Sequence, residues 1–309
     1  MTKFAVVFPG QGSQSVGMMG GFADSPLVEA TFREASAILG EDLWKLAAEG
    51  PAEALARTVV TQPLMLTAGV ACWRAWRDRG GPMPAFFAGH SLGEYSALVA
   101  AEALRFEDAL PLVRLRAQAM QEAVPEGTGG IAALVGLADD RLEKVLQEAA
   151  QGEVLEAANL NSPGQVVIAG HRGAVERGMA AAKAHGAKIA KMLPMSAPSH
   201  CSLMRPAAER LRERLAGVAV ASPKVPVVQN ADVAAFDDPE RIRRALVEQL
   251  FRPVRWVETV RHLQAAGVAR IVECAPGKVL AGLVKRTVDG VEAVAITDSA
   301  ALAAALTNA

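Results

Sequence analysis

The chain has 309 residues, of which 51% are hydrophobic and 21% are charged, and this apolar content excludes a disordered or fibrous protein. The 32 Lys and Arg residues against 33 Asp and Glu residues give a formal net charge of -1, so no global basic field attracts nucleic acid or an anionic membrane. Three widely separated cysteines without CxxC spacing predict neither a disulfide framework nor a zinc site, and we expect no metal or other cofactor.

The predicted elements begin with short β-rich runs at residues 3–8 and 85–89, each followed by residues with helical spacing. This alternation predicts an α/β fold. The first run stops at Pro9-Gly10 and is too short for a signal peptide, and no long apolar run follows, so we expect a soluble, cytoplasmic protein. Apolar spacing predicts helices over residues 62–79, 94–101 and 106–124.

A cluster of helix-breaking residues at 125–130 predicts a domain boundary. The next residues predict strand 131–136, helix 139–151, strands 154–159 and 165–169, helix 173–185 and strand 187–192, which is the βαββαβ order of a ferredoxin-like unit. Beyond Pro194 the α/β alternation returns, with strands predicted at 225–229, 269–273 and 292–296 and helices at 204–215, 239–250, 256–266, 278–288 and 300–305. We therefore expect an α/β-hydrolase-like large domain with a mainly parallel sheet (1–126 and 195–309), interrupted by a small ferredoxin-like domain (127–194).

The most informative motif is Gly89-His90-Ser91-Leu92-Gly93, a GxSxG pattern between a predicted strand and a predicted helix. In that context it indicates a nucleophile elbow, with the Ser91 hydroxyl raised above the sheet and the Leu92 amide directed at a developing oxyanion. The alternative is a glycine-rich turn in which the serine caps the helix.

A serine nucleophile needs a base, and the chain has five histidines. The turn geometry is expected to direct His90 away from the site, His171 and His185 are expected on the surface of the small domain, and His262 is expected on a helix surface. His200 follows a proline-braced loop beside the predicted domain boundary, where functional sites concentrate, so it is the favoured base.

Two further segments carry candidate binding residues. The glycine-rich loop after the first strand does not complete a dinucleotide-binding GxGxxG motif, but the main-chain amide of Gln11 could act as a second oxyanion donor. Arg114 and Arg116 point to different faces of one predicted helix, so one of them can turn inward. If Arg116 faces Ser91, its natural partner is a carboxylate on the substrate.

A set of motifs resembles the malonyl-CoA:acyl carrier protein transacylases of type II fatty acid synthesis over essentially the whole chain. The motifs are GQGSQ (10–14), TQP (61–63), GHSLGEYSAL (89–98), MQEAVPEGTGG (120–130), NSPGQVVIAG (161–170), PSHCSLM (198–204), EQLFRPVRW (248–256) and PGKVL (276–280). The resemblance implies ping-pong transfer of a malonyl group from malonyl-CoA to the phosphopantetheine thiol of acyl carrier protein, with Ser91 acylated and His200 as base and then acid.

The resemblance also implies further roles. Arg116 would bind the malonyl carboxylate, Gln11 and Leu92 would supply oxyanion amides, and Gln249 would orient His200 through its main-chain carbonyl. Gln62 and Asn161 match positions that line the cleft. The acceptor is acidic in this family, so a basic docking face is expected, with candidates at Arg172, Lys188, Lys191, Lys278, Lys285 and Arg286.

Alternatives remain open at this stage. A polyketide-pathway acyltransferase and a serine thioester hydrolase share the elbow chemistry, and a non-catalytic subunit that docks carrier protein would share the fold. The expected assembly is a monomer.

Overall fold

The structure is a computed structural model that describes residues 2–195 and 197–307. Its strands are β1 (Phe4–Phe8), β2 (Phe86–Gly89), β3 (Gly129–Val135), β4 (Leu155–Ser162), β5 (Gln165–His171), β6 (Ile189–Met192), β7 (Val227–Val228), β8 (Arg270–Cys274) and β9 (Glu292–Ile296). Its helices are α1 (Pro26–Leu39), α2 (Leu43–Glu49), α3 (Ala52–Ala56), α4 (Thr58–Asp78), α5 (Gly93–Ala100), α6 (Phe106–Glu122), α7 (Leu142–Ala150), α8 (Arg172–Ala184), α9 (Arg205–Leu215), α10 (Pro239–Glu248), α11 (Trp256–Ala265), α12 (Val279–Thr287) and α13 (Ser299–Thr307).

The larger sheet has the strand order β7-β2-β1-β8-β9, and every neighbouring pair is parallel. Parallel strands need helical crossovers that cover both faces of the sheet. Accordingly, Val6 and Phe8 of β1 pack into one hydrophobic core while Ala5 and Val7 pack into another on the opposite face. All carboxyl ends of these strands lie at one edge, where ligands bind in open α/β sheets.

The smaller sheet has the order β4-β5-β3-β6, and all its pairs are antiparallel. Alternate residues such as Leu134 and Ile168 pack beneath α7 and α8 in a separate core. Because side chains alternate across a strand, Ile131 and Val167 lie on the opposite face, which is turned toward the larger sheet.

Main-chain hydrogen bonds join β4 of the small sheet to the segment between α10 and α11. The Leu160 amide of β4 donates to the carbonyl oxygen of Val254 at 2.9 Å, and the Val254 amide donates to Ala158 at 2.9 Å. Val254 lies between α10 and α11, directly after the segment that contacts the predicted base. The position of the small sheet is therefore tied to that segment.

The predicted α/β fold with a mainly parallel sheet and a small antiparallel sheet is confirmed, including the βαββαβ order. Other predictions need correction: α4 begins at Thr58 rather than residue 62, and the strand predicted at 225–229 is reduced to β7. Helices α1 to α3 lie where no element was predicted. The division into domains at 126/127 and 194/195 stays a prediction. Within the described ranges no helix is both long and apolar enough to cross a bilayer.

Candidate active site

Ser91 lies in a sharp turn between β2 and α5, with a positive φ of 51°. The flanking glycines allow this turn. A Cβ at Gly89 would lie 1.9 Å from the carbonyl oxygen of Gly93, and a Cβ at Gly93 would lie 2.0 Å from the carbonyl oxygen of Phe8. No side chain fits at either position, so the glycine spacing has a direct steric cause.

His200 is in hydrogen-bond contact with Ser91, with Nε2 2.7 Å from the serine Oγ. Its Nδ1 lies 2.8 Å from the main-chain carbonyl oxygen of Gln249, which can only accept, so Nδ1 carries the proton and Nε2 accepts from the serine hydroxyl. The His200 amide donates to the carbonyl oxygen of Leu250 at 2.9 Å. One main-chain segment thus holds both the backbone of His200 and its imidazole.

The imidazole of His200 is neutral in this environment. Burial and the nearby Arg116 charge lower its pKa to about 3, and the hydrogen bond to the Gln249 carbonyl only partly opposes this. A neutral imidazole can accept the serine proton without first losing one of its own.

Arg116 is 1% exposed and lies beside the Ser91–His200 pair. Its Nη1 donates to Gln62 Oε1 at 2.7 Å, and its Nη2 donates to Gln249 Oε1 at 2.9 Å and to Ser91 Oγ at 3.2 Å. The guanidinium carbon lies 5.6 Å from the centre of the Tyr95 ring. Burial lowers the pKa of this guanidinium, although an arginine stays charged in proteins. The hydrogen-bond acceptors of the guanidinium, on Gln62, Ser91 and Gln249, are all neutral. The buried cation can therefore still pair with an incoming anion.

Two buried residues that the sequence analysis did not identify hold the turn. The Ser91 amide donates to Asn230 Oδ1 at 2.6 Å, and Asn230 Nδ2 donates to the Gly89 carbonyl at 2.6 Å. The Asn230 amide donates to Glu94 Oε2 at 2.7 Å. Burial raises the pKa of the Glu94 carboxyl to about 8, against the hydrogen bonds from Asn230 and Gln249. A charged residue in the otherwise apolar start of α5 was the available signal for Glu94.

A cavity of about 380 Å³ opens beside this cluster. Its wall on the large-sheet side includes Gln11, Gln62 and Leu92, and its wall on the small-sheet side includes Ile131, Ala133, Asn159, Asn161, Gln165 and Val167. Leu92 directly precedes α5, where main-chain amides are unsatisfied by the helix. The structure thus gathers every predicted catalytic and binding residue around one space.

His90 also lines the cavity, so the prediction that it points away from the site is wrong. Its Nε2 lies 2.8 Å from Asn161 Oδ1, and its ring packs on Trp256 at 5.6 Å between centroids. It therefore bridges the elbow to β4 instead of contacting the serine hydroxyl. His171, His185 and His262 lie outside the lining of this cavity, and their ring contacts are Val154, Glu148 and Phe86.

A family model described as "Acyl transferase domain" matches residues 5–306. The chain belongs to this acyl transferase family. It is 57% identical to the malonyl CoA-acyl carrier protein transacylase of Salmonella typhimurium over 100% of both chains. A solved acyl-carrier-protein S-malonyltransferase from Burkholderia pseudomallei matches with a TM-score of 0.97 and 56% identity over 99% of both chains. A malonyl-transacylase solved in complex with a type II polyketide acyl-carrier protein matches with a TM-score of 0.98 and 51% identity over 100% of both chains.

Of the basic residues predicted to dock a partner of this acyl transferase, Arg286 and Arg172 lie at opposite ends of β5, and Lys191 lies between these ends on β6. Arg286 Nη2 lies 3.4 Å from Gln165 Oε1 at the start of β5, and the Lys188 side chain lies against Gly136 nearby. Arg172 follows the far end of β5 and pairs with Glu176. A seven-residue strand separates the two ends by roughly 20 Å, so one small partner need not contact both.

Proposed function

We propose that this acyl transferase moves a malonyl group from malonyl-CoA to the phosphopantetheine thiol of acyl carrier protein, through a malonyl ester of Ser91. The observation that carries the proposal is the buried Arg116 guanidinium, which reaches Ser91 Oγ and is hydrogen-bonded to neutral side chains. The names of the full-length relatives support the same transfer.

In the first half-reaction, His200 Nε2 takes the proton of Ser91 Oγ as that oxygen attacks the thioester carbonyl. The negative charge that forms on the carbonyl oxygen is stabilised by the main-chain amides of Gln11 and Leu92, and loss of one such donor typically costs about 100-fold or more in rate. The C–S bond then breaks, and the proton passes from His200 to the departing coenzyme A thiolate.

In the second half-reaction, His200 takes the proton of the phosphopantetheine thiol, whose sulfur attacks the malonyl ester. The tetrahedral intermediate collapses, the C–O bond to Ser91 breaks, and the proton returns from His200 to the serine oxygen. The Gln249 carbonyl holds the imidazole in one tautomer throughout, so no acidic side chain is needed as a third member.

Arg116 selects the acyl group in this proposal. A malonyl carboxylate can pair with the guanidinium through two parallel hydrogen bonds, whereas an acetyl group leaves the buried cation unpaired. Sites that pair a polar group can discriminate against analogues lacking it by roughly 10⁴. Gln62 and Gln249 hold the guanidinium at the distance from Ser91 that such a short acyl group requires.

The acceptor binds beside the small-sheet wall of the cavity. On β6, Ile189 and Lys191 alternate with residues that pack against the helices, so they lie on the face turned toward the cavity, and both are exposed. Together with Lys188, Lys278, Lys285 and Arg286 they form a basic surface that suits an acidic carrier protein. Action as a cytoplasmic monomer, in fatty acid or in polyketide synthesis, is part of this proposal.

Intact-protein mass spectrometry after incubation with malonyl-CoA, methylmalonyl-CoA and acetyl-CoA tests the proposal. We expect a malonyl adduct on the wild-type chain, its loss on adding holo acyl carrier protein, and no adduct on Ser91→Ala. Release of the malonyl group to water at the same rate with and without carrier protein would indicate a thioester hydrolase. Absence of any adduct and of any turnover would indicate a docking subunit.

A further inference from the structure

The loop after β7 places a side-chain amide against the nucleophile turn. Asn230 is 1% exposed and lies two residues after β7, the edge strand of the parallel sheet that pairs with β2. Its Oδ1 accepts from the Ser91 amide and its Nδ2 donates to the Gly89 carbonyl, both at 2.6 Å. These two hydrogen bonds span His90. The side-chain amide of Asn230 therefore connects the residues before and after His90, in the way that a main-chain peptide group of an adjacent strand would.

This bridge acts at the strained residue of the turn. Ser91 has a φ of 51°, a conformation that a non-glycine residue keeps only where its surroundings enforce it. The hydrogen bond to Ser91 N fixes the peptide plane that precedes the strained torsion, and the bond to Gly89 O fixes the end of β2. Together they determine the direction in which the Ser91 side chain leaves the backbone.

Glu94 fixes Asn230 in turn. Its side chain is 0% exposed, and Oε2 accepts from the Asn230 amide at 2.7 Å while its own main-chain amide donates to the Ser91 carbonyl at 3.0 Å. A buried carboxyl is costly in a core, and it is retained where it holds other groups in place. Glu94 therefore connects the first turn of α5 to the loop that carries Asn230.

The hydrogen bond from the Ser91 amide to Asn230 also determines which main-chain amide of the elbow can donate to an oxyanion. The Ser91 amide already donates to Asn230 and is not available to a ligand. The next amide, that of Leu92, precedes α5 and belongs to a residue that lines the cavity. A turn that relaxed away from Asn230 would change both the aim of the hydroxyl and the position of this donor.

We propose that Asn230 and Glu94 are positioning residues for Ser91, which together hold the elbow so that Oγ meets His200 and the Leu92 amide faces the reacting carbonyl. The inference rests on the proposed role of Ser91 as the acylated nucleophile. It assigns to Asn230 and Glu94 no contact with substrate.

The test measures single-turnover acylation of Ser91 by malonyl-CoA, together with thermal unfolding, for the wild type, Asn230→Ala and Gln229→Ala. Gln229 is a matched control because it is also 1% exposed and adjacent in sequence, but its side-chain amide donates to Val227 instead of the elbow. Misplacement of a reacting group by about 1 Å costs on the order of 100-fold, so we expect Asn230→Ala to lower the acylation rate constant by about that factor. The concentration of malonyl-CoA giving half the maximal rate should be unchanged, because Arg116 and the cavity walls are intact.

Gln229→Ala should keep the acylation rate constant of the wild type even where its melting temperature falls as far as that of Asn230→Ala. Acylation of Asn230→Ala at the wild-type rate, or an equal loss in Gln229→Ala, would overturn the proposal. A wild-type chain that takes up no malonyl group would instead overturn the proposed function and this inference with it.

Near-isosteric variants keep the test decisive if Asn230→Ala does not fold. Asn230→Asp retains an acceptor for the Ser91 amide and loses the donor to the Gly89 carbonyl, so slow acylation is expected there too. Glu94→Gln retains an acceptor for the Asn230 amide and should restore the activity that Glu94→Ala loses. Full activity in Asn230→Asp would exclude the bridge, and an equal loss in Glu94→Gln and Glu94→Ala would exclude the hydrogen-bond role of Glu94.

Discussion

The two sheets meet at one cavity but contribute different kinds of residue to it. Segments connected to the parallel sheet carry the polar network of Ser91, Arg116 and Gln249, in which each side chain is fixed by at least one other. The antiparallel sheet contributes mainly a wall, with apolar side chains such as Ile131 and Val167 and the amides of Asn159 and Asn161. The groups proposed to react thus lie on one layer, and the other layer supplies the opposite wall of the cavity.

Separate cores make this division possible. The residues beneath α7 and α8 form a cluster distinct from the two clusters that cover the parallel sheet. Substitutions in the core beneath α7 and α8 are therefore expected to leave the geometry of the serine and its base undisturbed, whereas the cavity-facing side of the small sheet packs against Cys201, next to His200.

Arg116 gives the largest expected effect, on the large-sheet side. Arg116→Met should lower the ratio of kcat/KM for malonyl-CoA to that for acetyl-CoA by roughly 10³ to 10⁴, because the variant no longer pairs the carboxylate and no longer leaves a cation unpaired with acetyl. Steady-state transfer to holo carrier protein measures both constants. Arg114→Met is the matched control, since Arg114 pairs with Glu41 on the outer face of α6. An unchanged ratio in Arg116→Met would show that selectivity lies elsewhere.

The pH dependence of Ser91 acylation gives the next largest effect. In the proposed mechanism His200 acts as a base in its neutral form, and burial with the Arg116 charge lowers its pKa to about 3, so the neutral form persists as the pH falls. An imidazole of ordinary pKa would lose about 30-fold in neutral form by about pH 5, whereas kcat/KM here should show no such loss. Rapid-quench acylation between about pH 5 and 8 measures this.

Arg116→Met provides the internal check on that profile. Burial, the Arg116 charge and the nearby His90 all lower the pKa of His200; removal of the Arg116 charge removes one of these causes, so the acid limb should move to higher pH in the variant. A wild-type acid limb near pH 6.5 would contradict the prediction. A limb that does not move in the variant would show that the Arg116 charge does not contribute to the shift.

Glu156 tests whether the small sheet contributes only a wall to the cavity or also supports the loop that carries His200. It lies on β4 of the small sheet, yet its carboxylate accepts from the Ser202 amide at 2.9 Å and from Ser202 Oγ at 2.7 Å, two residues from His200. Glu156→Ala should slow acylation by about tenfold through a loosened histidine loop. Glu153→Ala, which removes only the surface pair with Arg177, is the control. Unchanged acylation in Glu156→Ala would show that the small sheet acts purely as a wall.

The sequence predicted most of the fold, and residues that the structure gathers around the cavity, because their signals are local. The glycines of the elbow, the proline-braced loop before His200 and the βαββαβ order each depend on a short pattern. Helices α1 to α3 were missed although Ser25 and Pro26 form a standard helix start. The contribution of Gln249 could not be derived from residue type, because a main-chain carbonyl is common to all residues. Asn230 meets Ser91 from 139 positions away, which no local pattern reveals.

The smallest expected effect lies on the exposed face of the small sheet. Lys191 faces the cavity side of β6 and is exposed, so Lys191→Glu should raise the KM for acyl carrier protein by several-fold, since rim charges act mainly on encounter and are screened by salt. The KM for malonyl-CoA should stay the same, because the thioester-binding residues are untouched. Arg172→Glu is the control: it makes the same charge change just beyond the carboxyl end of β5, whereas Lys191 lies beside Ala133, which pairs with Val167 near the start of that strand. Equal effects of both variants would mean that net charge, and not this face, governs docking. Loss of the Lys191→Glu effect at high ionic strength would show that the contact is electrostatic.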